Sequence, residues 1–182
     1  MKPLKIKPFT SRIFLFIACL VVMIAFTKNT HAQKTKGTAH FEAGLKALET
    51  NNMPLVLKEF LAAAKEGHPD AQFNVALMYE QGMAVTKNDK EAFFWYGKSA
   101  AQGNAGAQYN LGVLYENGRG TTINFAKANE WYRKASIQGD GLAVGNLGML
   151  YIRGQGVKEN KIAGIALLLL SVTMDTSPQN QA

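Results

Sequence analysis

Cysteine is nearly absent: the only one is Cys19, and the 150 residues after position 32 contain none. No disulfide can brace that part, so it must be held together by burial of apolar surface. Histidine is scarce too. Beyond position 32 only His40 and His68 occur, far apart and at no metal-ligand spacing. No Gly-x-Ser-x-Gly and, past Cys19, no thiol offers a nucleophile. Aspartate is limited to Asp70, Asp89, Asp140 and Asp175. Asp70 and Asp89 lie near expected helix starts, where an anion suits the helix dipole. Glu80 and Glu116 fall at matching places and read as a solvated helix face, not as an acid–base pair. No residue stands out as catalytic, cofactor-binding or metal-binding, so the expectation is a protein that is not an enzyme.

Residues 1–32 lack any acid and carry Lys2, Lys5, Lys7, Arg12 and Lys28. Removing these five positive charges takes the formal net charge from +7 to +2. The basic balance is therefore no argument for nucleic acid as a partner. An apolar run from Ile13 to Phe26 follows the basic start, and Thr30-His31-Ala32 precedes Gln33. Basic start, short apolar centre and small residues at −3 and −1 form the grammar of a cleaved secretory signal. The run is short for a membrane span, which needs roughly 20 apolar residues. An uncleaved anchor is the alternative, and the only membrane attachment expected. Acylation at Cys19 fits poorly, because the apolar run continues past it through Leu20, Val21 and Val22. Export to the periplasm or the exterior, with cleavage near Ala32-Gln33, is the expectation.

What the chain has in quantity is repetition. "GHPDAQFNVALMYEQGMA" from Gly67 returns as "GNAGAQYNLGVLYENGRG" from Gly103 and as "GDGLAVGNLGMLYIRGQG" from Gly139, each 36 residues on. Ala71, Ala107 and Ala143 align without a gap, as do Tyr79, Tyr115 and Tyr151, and Gly82, Gly118 and Gly154. Trp95-Tyr96 matches Trp131-Tyr132, with Leu167-Leu168 in that place last. Such a period signals a solenoid. Each copy reads as two helices. In the second, Ala107, Leu111, Leu114 and Tyr115 give one apolar stripe over roughly 105–116. Asn104 caps its start, with His68 and Asp140 equivalent, and Gly118 suits its left-handed end. Asn124 opens the second helix, with Asn88 and Asn160 equivalent, and that helix runs to about Ile137. Small residues such as Ala107, Gly112 and Ala128 allow close helix approach. Trp131 and Tyr132 fill the space between pairs. The glycine pairs Gly118/Gly120 and Gly154/Gly156 lack a preceding strand and read as helix terminators, not phosphate cradles.

"AQYNLGVLYENGRG" followed by "AKANEWYRKASIQG" resembles the Sel1-like repeat, a relative of the tetratricopeptide repeat. The resemblance covers about Gly67 to Thr173. It implies an all-α fold, a right-handed solenoid of stacked antiparallel helix pairs, with repeats over 67–102, 103–138 and 139–174. Residues 41–66 look like a degenerate first unit, since Phe60, Ala63 and Ala64 sit where Tyr96, Ser99 and Ala100 sit later, and Pro54 is expected to open its second helix. Residues 1–32 are left as signal, 33–40 as linker and 175–182 as a flexible tail. The resemblance implies an adaptor that binds proteins or peptides, here an exported bacterial member serving the envelope or host contact. A cysteine-rich branch linked to β-lactam and cell-wall chemistry pairs cysteines within each repeat. Those cysteines are missing here, so that activity does not carry over and a hydrolase remains the lesser alternative.

Three sets of residues are candidates for protein binding. The first is the ladder Asn74, Asn110 and Asn146, whose amides could bond an extended peptide in the concave groove. A structural bond to a neighbouring helix is the competing and favoured reading, because buried polar groups usually find protein partners. The second is the pair of positions that vary on the constant frame: Phe73, Tyr109 and Gly145, then Leu77, Val113 and Met149. These either write specificity or adjust packing. The third is "KIAGIALLLLSVTM", apolar nearly all round, where Leu169 and Leu170 replace Arg133 and Lys134. A terminal repeat should be a polar cap, so this helix is expected to dock on a partner or a second copy, or else to be covered by residues 175–182.

Overall fold

The computed structural model describes residues 37–175. The expected signal lies outside them, as does the tail beyond Asp175. The described residues form eight helices and no strand. Helix α1 covers residues 37–49, so residues 37–40 extend the first helix into the stretch assigned to the linker. It is followed by α2 (Met53–Lys65), α3 (Pro69–Gln81), α4 (Asp89–Ala101), α5 (Ala105–Asn117), α6 (Phe125–Ile137), α7 (Gly141–Arg153) and α8 (Lys161–Asp175). Packing is most extensive within the pairs α3/α4, α5/α6 and α7/α8. Contacts of α2 with α3, α4 with α5 and α6 with α7 join them into a continuous stack. Among the described residues no helix is long and apolar enough to cross a membrane.

The helix boundaries follow from side-chain chemistry. Asn104 and Asp140 each accept from the backbone N–H three residues on, at 2.8 Å, and His68 does so at 3.4 Å. Asn88, Asn124 and Asn160 cap α4, α6 and α8 in the same way. Each cap occupies a backbone donor that the first helical turn leaves unpaired. Pro54 sits in the first turn of α2 behind its cap Asn52, where a missing N–H costs nothing. Gly118 ends α5 at φ 68°, with Gly82 and Gly154 equivalent. Of the expected stripe, Ala107, Leu111 and Leu114 are buried and Tyr115 is partly so.

Aromatic rings set the spacing within the first three pairs, so Tyr132 fills the inside of its own pair and not the space between pairs. Tyr96 and Tyr132 are fully buried and Phe60 nearly so. Burying one such side chain stabilises by roughly 1.5–3 kcal/mol. Each ring needs a small residue opposite: a Cβ on Gly112 would stand 2.6 Å from the Tyr132 ring, and one on Gly44 would collide with Phe60. Phe60 thus stands in α2 as Tyr132 stands in α6.

The second glycine of each loop does more than end a helix. Gly120 (φ 70°) and Gly156 (φ 69°) lie against the backbone of the preceding pair, at Asp89 and at Phe125–Ala126 respectively. Any side chain there would strike main chain. The loop after each of α5 and α7 therefore reaches back and rests on the start of α4 or α6. The equivalent residue one copy earlier is Ala84, exposed and at φ 57°.

Candidate functional site

Asn74, Asn110 and Asn146 project from α3, α5 and α7 at matching places, each half-buried. Phe73 and Tyr109 lie beside them on the same helices, as do Leu77, Val113 and Met149, all partly buried. These eight residues therefore repeat along one face, that of the first helix of each pair. Phe73 packs against the Tyr96 ring (centroids 5.8 Å apart) and over Gly106 of the next pair. Tyr109 packs against Tyr132 at 5.9 Å. At the third copy Gly145 leaves the place open above Ser171.

The three asparagines are not equivalent. The Asn146 amide faces the hydroxyls of both Tyr109 and Tyr132 and favours their ionised form. Burial outweighs it and pushes both hydroxyls above the ordinary tyrosine range. Phe73 brings no hydroxyl where Tyr109 brings one. Among the described residues nothing hydrogen-bonds the side chains of Asn74 and Asn110. Asn146 thus has two phenol hydroxyls within reach, and Asn74 and Asn110 show no such neighbour among the described residues.

Glu80 and Glu116 correct the expectation of a solvated face. Glu80 accepts from the Tyr96 hydroxyl at 2.8 Å, and Glu116 from the Tyr132 hydroxyl at 2.6 Å. The physical reason is the buried phenol. Burial first, and then the carboxylate bond, hold both hydroxyls protonated and far above their ordinary range. A donor held there without an acceptor would cost about 1–3 kcal/mol. Sequence offered a signal for this pairing: where Tyr132 gives way to Leu168, Glu116 gives way to Ile152.

Two further polar devices went unread. Gln72 and Gln108 are buried and donate to the carbonyls of Ala64 and Ala100 in the preceding helices, each at 3.1 Å. Each is in turn held by Gln102 or Gln138 through its own amide oxygen. Arg119 clamps two elements of the preceding pair: Glu80 at 2.8 Å and Asp89 at 2.7 Å. The hydrogen bond from Arg119 is the main reason the Asp89 carboxyl is held below its usual range. The recurrence of Gln72 at Gln108 and of Gln102 at Gln138 was the available clue.

Leu169 and Leu170 stand apart from this face, on α8, with 65% and 49% of their surface exposed. Among the described residues no group of histidine, aspartate or glutamate side chains is arranged to hold a metal ion.

A stack of helix pairs with repeated, half-buried side chains along one face defines a helical-repeat scaffold. The chain belongs to the Sel1 repeat family, whose profile matches residues 69–104, 105–140 and 142–175, more than half its length. Sel1-repeat proteins are in general non-catalytic protein-interaction scaffolds. Among solved structures it is similar to c5321, a protective antigen present in uropathogenic Escherichia coli strains, at 30% identity and a TM-score of 0.72. That likeness covers 78% of this chain and 31% of the antigen, so the chain spans about a third of it. A Sel1 repeat protein from Oxalobacter formigenes matches at 30% identity and a TM-score of 0.67, over 74% of this chain and 54% of that one. Helicobacter pylori cysteine-rich protein B shares the fold at 20% identity and a TM-score of 0.54, over 70% of this chain and 94% of that one. No curated protein sequence matches significantly.

Proposed function

We propose that the protein is an exported, non-catalytic adaptor that binds an extended peptide segment of another protein along the face formed by α3, α5 and α7. The observation that carries this reading is the pair Asn74 and Asn110: two amides, one repeat apart, with no hydrogen-bond partner among the described residues. An extended backbone offers donors and acceptors to such amides, and Phe73, Leu77, Tyr109, Val113 and Met149 offer apolar contact for its side chains. Asn146 and Tyr109 close one end of the row. Export rests on the basic, acid-free start and the short apolar run of residues 1–32.

A displayed library of extended peptides tests the reading. The expected result is a shared motif whose affinity falls about five- to 150-fold in Asn74→Ala/Asn110→Ala, since each lost amide bond is worth about 0.5–1.5 kcal/mol. Melting of that variant should stay unchanged. Failure to enrich any motif, or equal binding by the variant, would refute it.

A further inference from the structure

Helix α8 is apolar on two faces. Gly164, Leu167, Leu168 and Ser171 turn toward α7, buried or partly so. Ile162, Ile165, Leu169 and Val172 form a second stripe, exposed by 85%, 54%, 65% and 60%. Their spacing of three, four and three residues is that of the a and d positions of a heptad, the seam of a helix–helix pair. Inside the stack two of these places are covered: Phe93, two repeats before Ile165, packs edge-on to Tyr115 at 5.2 Å, and Ala100, two repeats before Val172, is buried; the Ile162 and Leu169 places hold the exposed Ala126 and Arg133 one repeat earlier. No further helix pair follows α8 among the described residues.

The charges of α8 are placed against its own dipole. Lys161 opens the helix, with no acid in the first turn, and aspartate at position 175 closes it, with no base in the last turn. No ionisable residue lies between them. A cation at a helix N-terminus and an anion at a C-terminus are both unfavourable in isolation. They become favourable when a second copy of the helix runs antiparallel, because each end then faces the opposite charge.

We propose that the protein forms a two-fold dimer by packing α8 antiparallel against α8 of a second copy. One register satisfies every element. Ile162 meets Val172 of the second copy, and Ile165 meets its Leu169. Position 161 lies two heptads before position 175, at the same heptad place, so the basic end of one helix meets the acidic end of the other. Lys161 pairs with Glu159 of its own loop, at 3.2 Å and largely in solvent, so it is available to turn. An uncharged, self-complementary seam bounded by one base and one acid fits a copy of itself better than a charged partner, and a two-fold interface closes without leaving a second sticky end. The dimer does not depend on the peptide-binding face of α3, α5 and α7.

The test is sedimentation of the full chain carrying Cys19→Ser. The parent should be a dimer, and Ile165→Glu/Leu169→Glu should raise its dissociation constant at least about a hundredfold, because four carboxylates would enter the seam. Both residues are mostly exposed, so circular dichroism should be unchanged. Lys161→Asp should weaken the dimer about tenfold by opposing two pairs of like charges, and Asp175→Lys in the same chain should restore it. In that background, mixed Ile165→Cys and Leu169→Cys chains should cross-link to each other more than to themselves. A monomeric parent, a ladder of open oligomers, or a dimer indifferent to the double glutamate change would each overturn the proposal. Peptide binding measured on the same monomeric variant reports separately on the groove.

Discussion

The junction between α4 and α5 and the junction between α6 and α7 use one backbone frame with opposite chemistry. At the first, Arg119 clamps Glu80 and Asp89, Gln108 bonds the Ala100 carbonyl, and Asn104 donates to Asp70 at 3.0 Å. At the second, the matching residues are Gln155, Phe125 and Val144. The Gln155 amide oxygen is buried with no hydrogen-bond partner among the described residues, and Val144 is buried where Gln108 stood. The tyrosine–glutamate bond inside the α3/α4 and α5/α6 pairs likewise becomes Leu168 and Ile152 in α7/α8. The frame therefore holds at the second junction with fewer polar contacts than at the first. The polar contacts add direction, since a misplaced donor costs more than a misplaced methyl group. The stack grades from polar and self-specified to apolar, and its apolar end is where the exposed stripe of α8 lies.

That contrast can be broken most forcefully at the loop that docks backward. Gly120→Ala should destabilise by about 3–4 kcal/mol, combining a left-handed backbone with a collision at the Asp89 carbonyl. Thermal melting reads this directly, and a shift of only a degree or two would mean the loop is free to lift away. Next comes the phenol–carboxylate bond. Tyr132→Phe should cost about 1–2 kcal/mol in denaturant unfolding, and adding Glu116→Leu should recover much of it by removing the stranded acceptor. Arg119→Gln, which gives the first junction the residue of the second, should cost about 1–2 kcal/mol. Gln155→Arg should gain nothing unless Phe125→Asp accompanies it.

Acid should distinguish the junctions more gently. The Asp89 pKa is depressed, chiefly by its hydrogen bond from Arg119, so the carboxylate adds stability above its unfolded pKa near 4. That contribution is lost as pH falls through the lower folded value. Titrating from pH 5 to pH 2 should therefore narrow the stability gap between wild type and Arg119→Gln, with the two curves converging at the acid end. The smallest effect belongs to Ala84→Gly, which relieves a positive φ without any collision. It should stabilise by about 0.5–1 kcal/mol, opposite in sign to the change at Gly120.

Much of this frame was legible in the sequence because its causes are local. A cap and the N–H it accepts from are three residues apart, and a left-handed glycine ends the helix it follows. The period of 36 then carried the reading of one copy to the others. Glu80 and Glu116 were misread because a carboxylate near a helix end looks solvated until its phenol, sixteen residues on, is placed over it. Gly120 looked like another terminator because the backbone it rests on, at Asp89, is thirty-one residues back. At the binding face, the ladder showed its spacing but not its inequality. Whether an asparagine is occupied depends on a hydroxyl at position 109 that position 73 lacks, and on how near the next pair brings it.

The backward-docking loops have a consequence for how the chain is made. A helix pair emerging during synthesis is not finished when its own second helix ends. Its α4 or α6 start stays bare until the loop some thirty residues later arrives to cover it. Completion thus lags emergence by nearly one unit, and at every moment the growing end is the least protected part. The segment that folds as a whole is offset from the segment that repeats, so a copy cut at the sequence boundary would carry the clasp for its predecessor and lack its own.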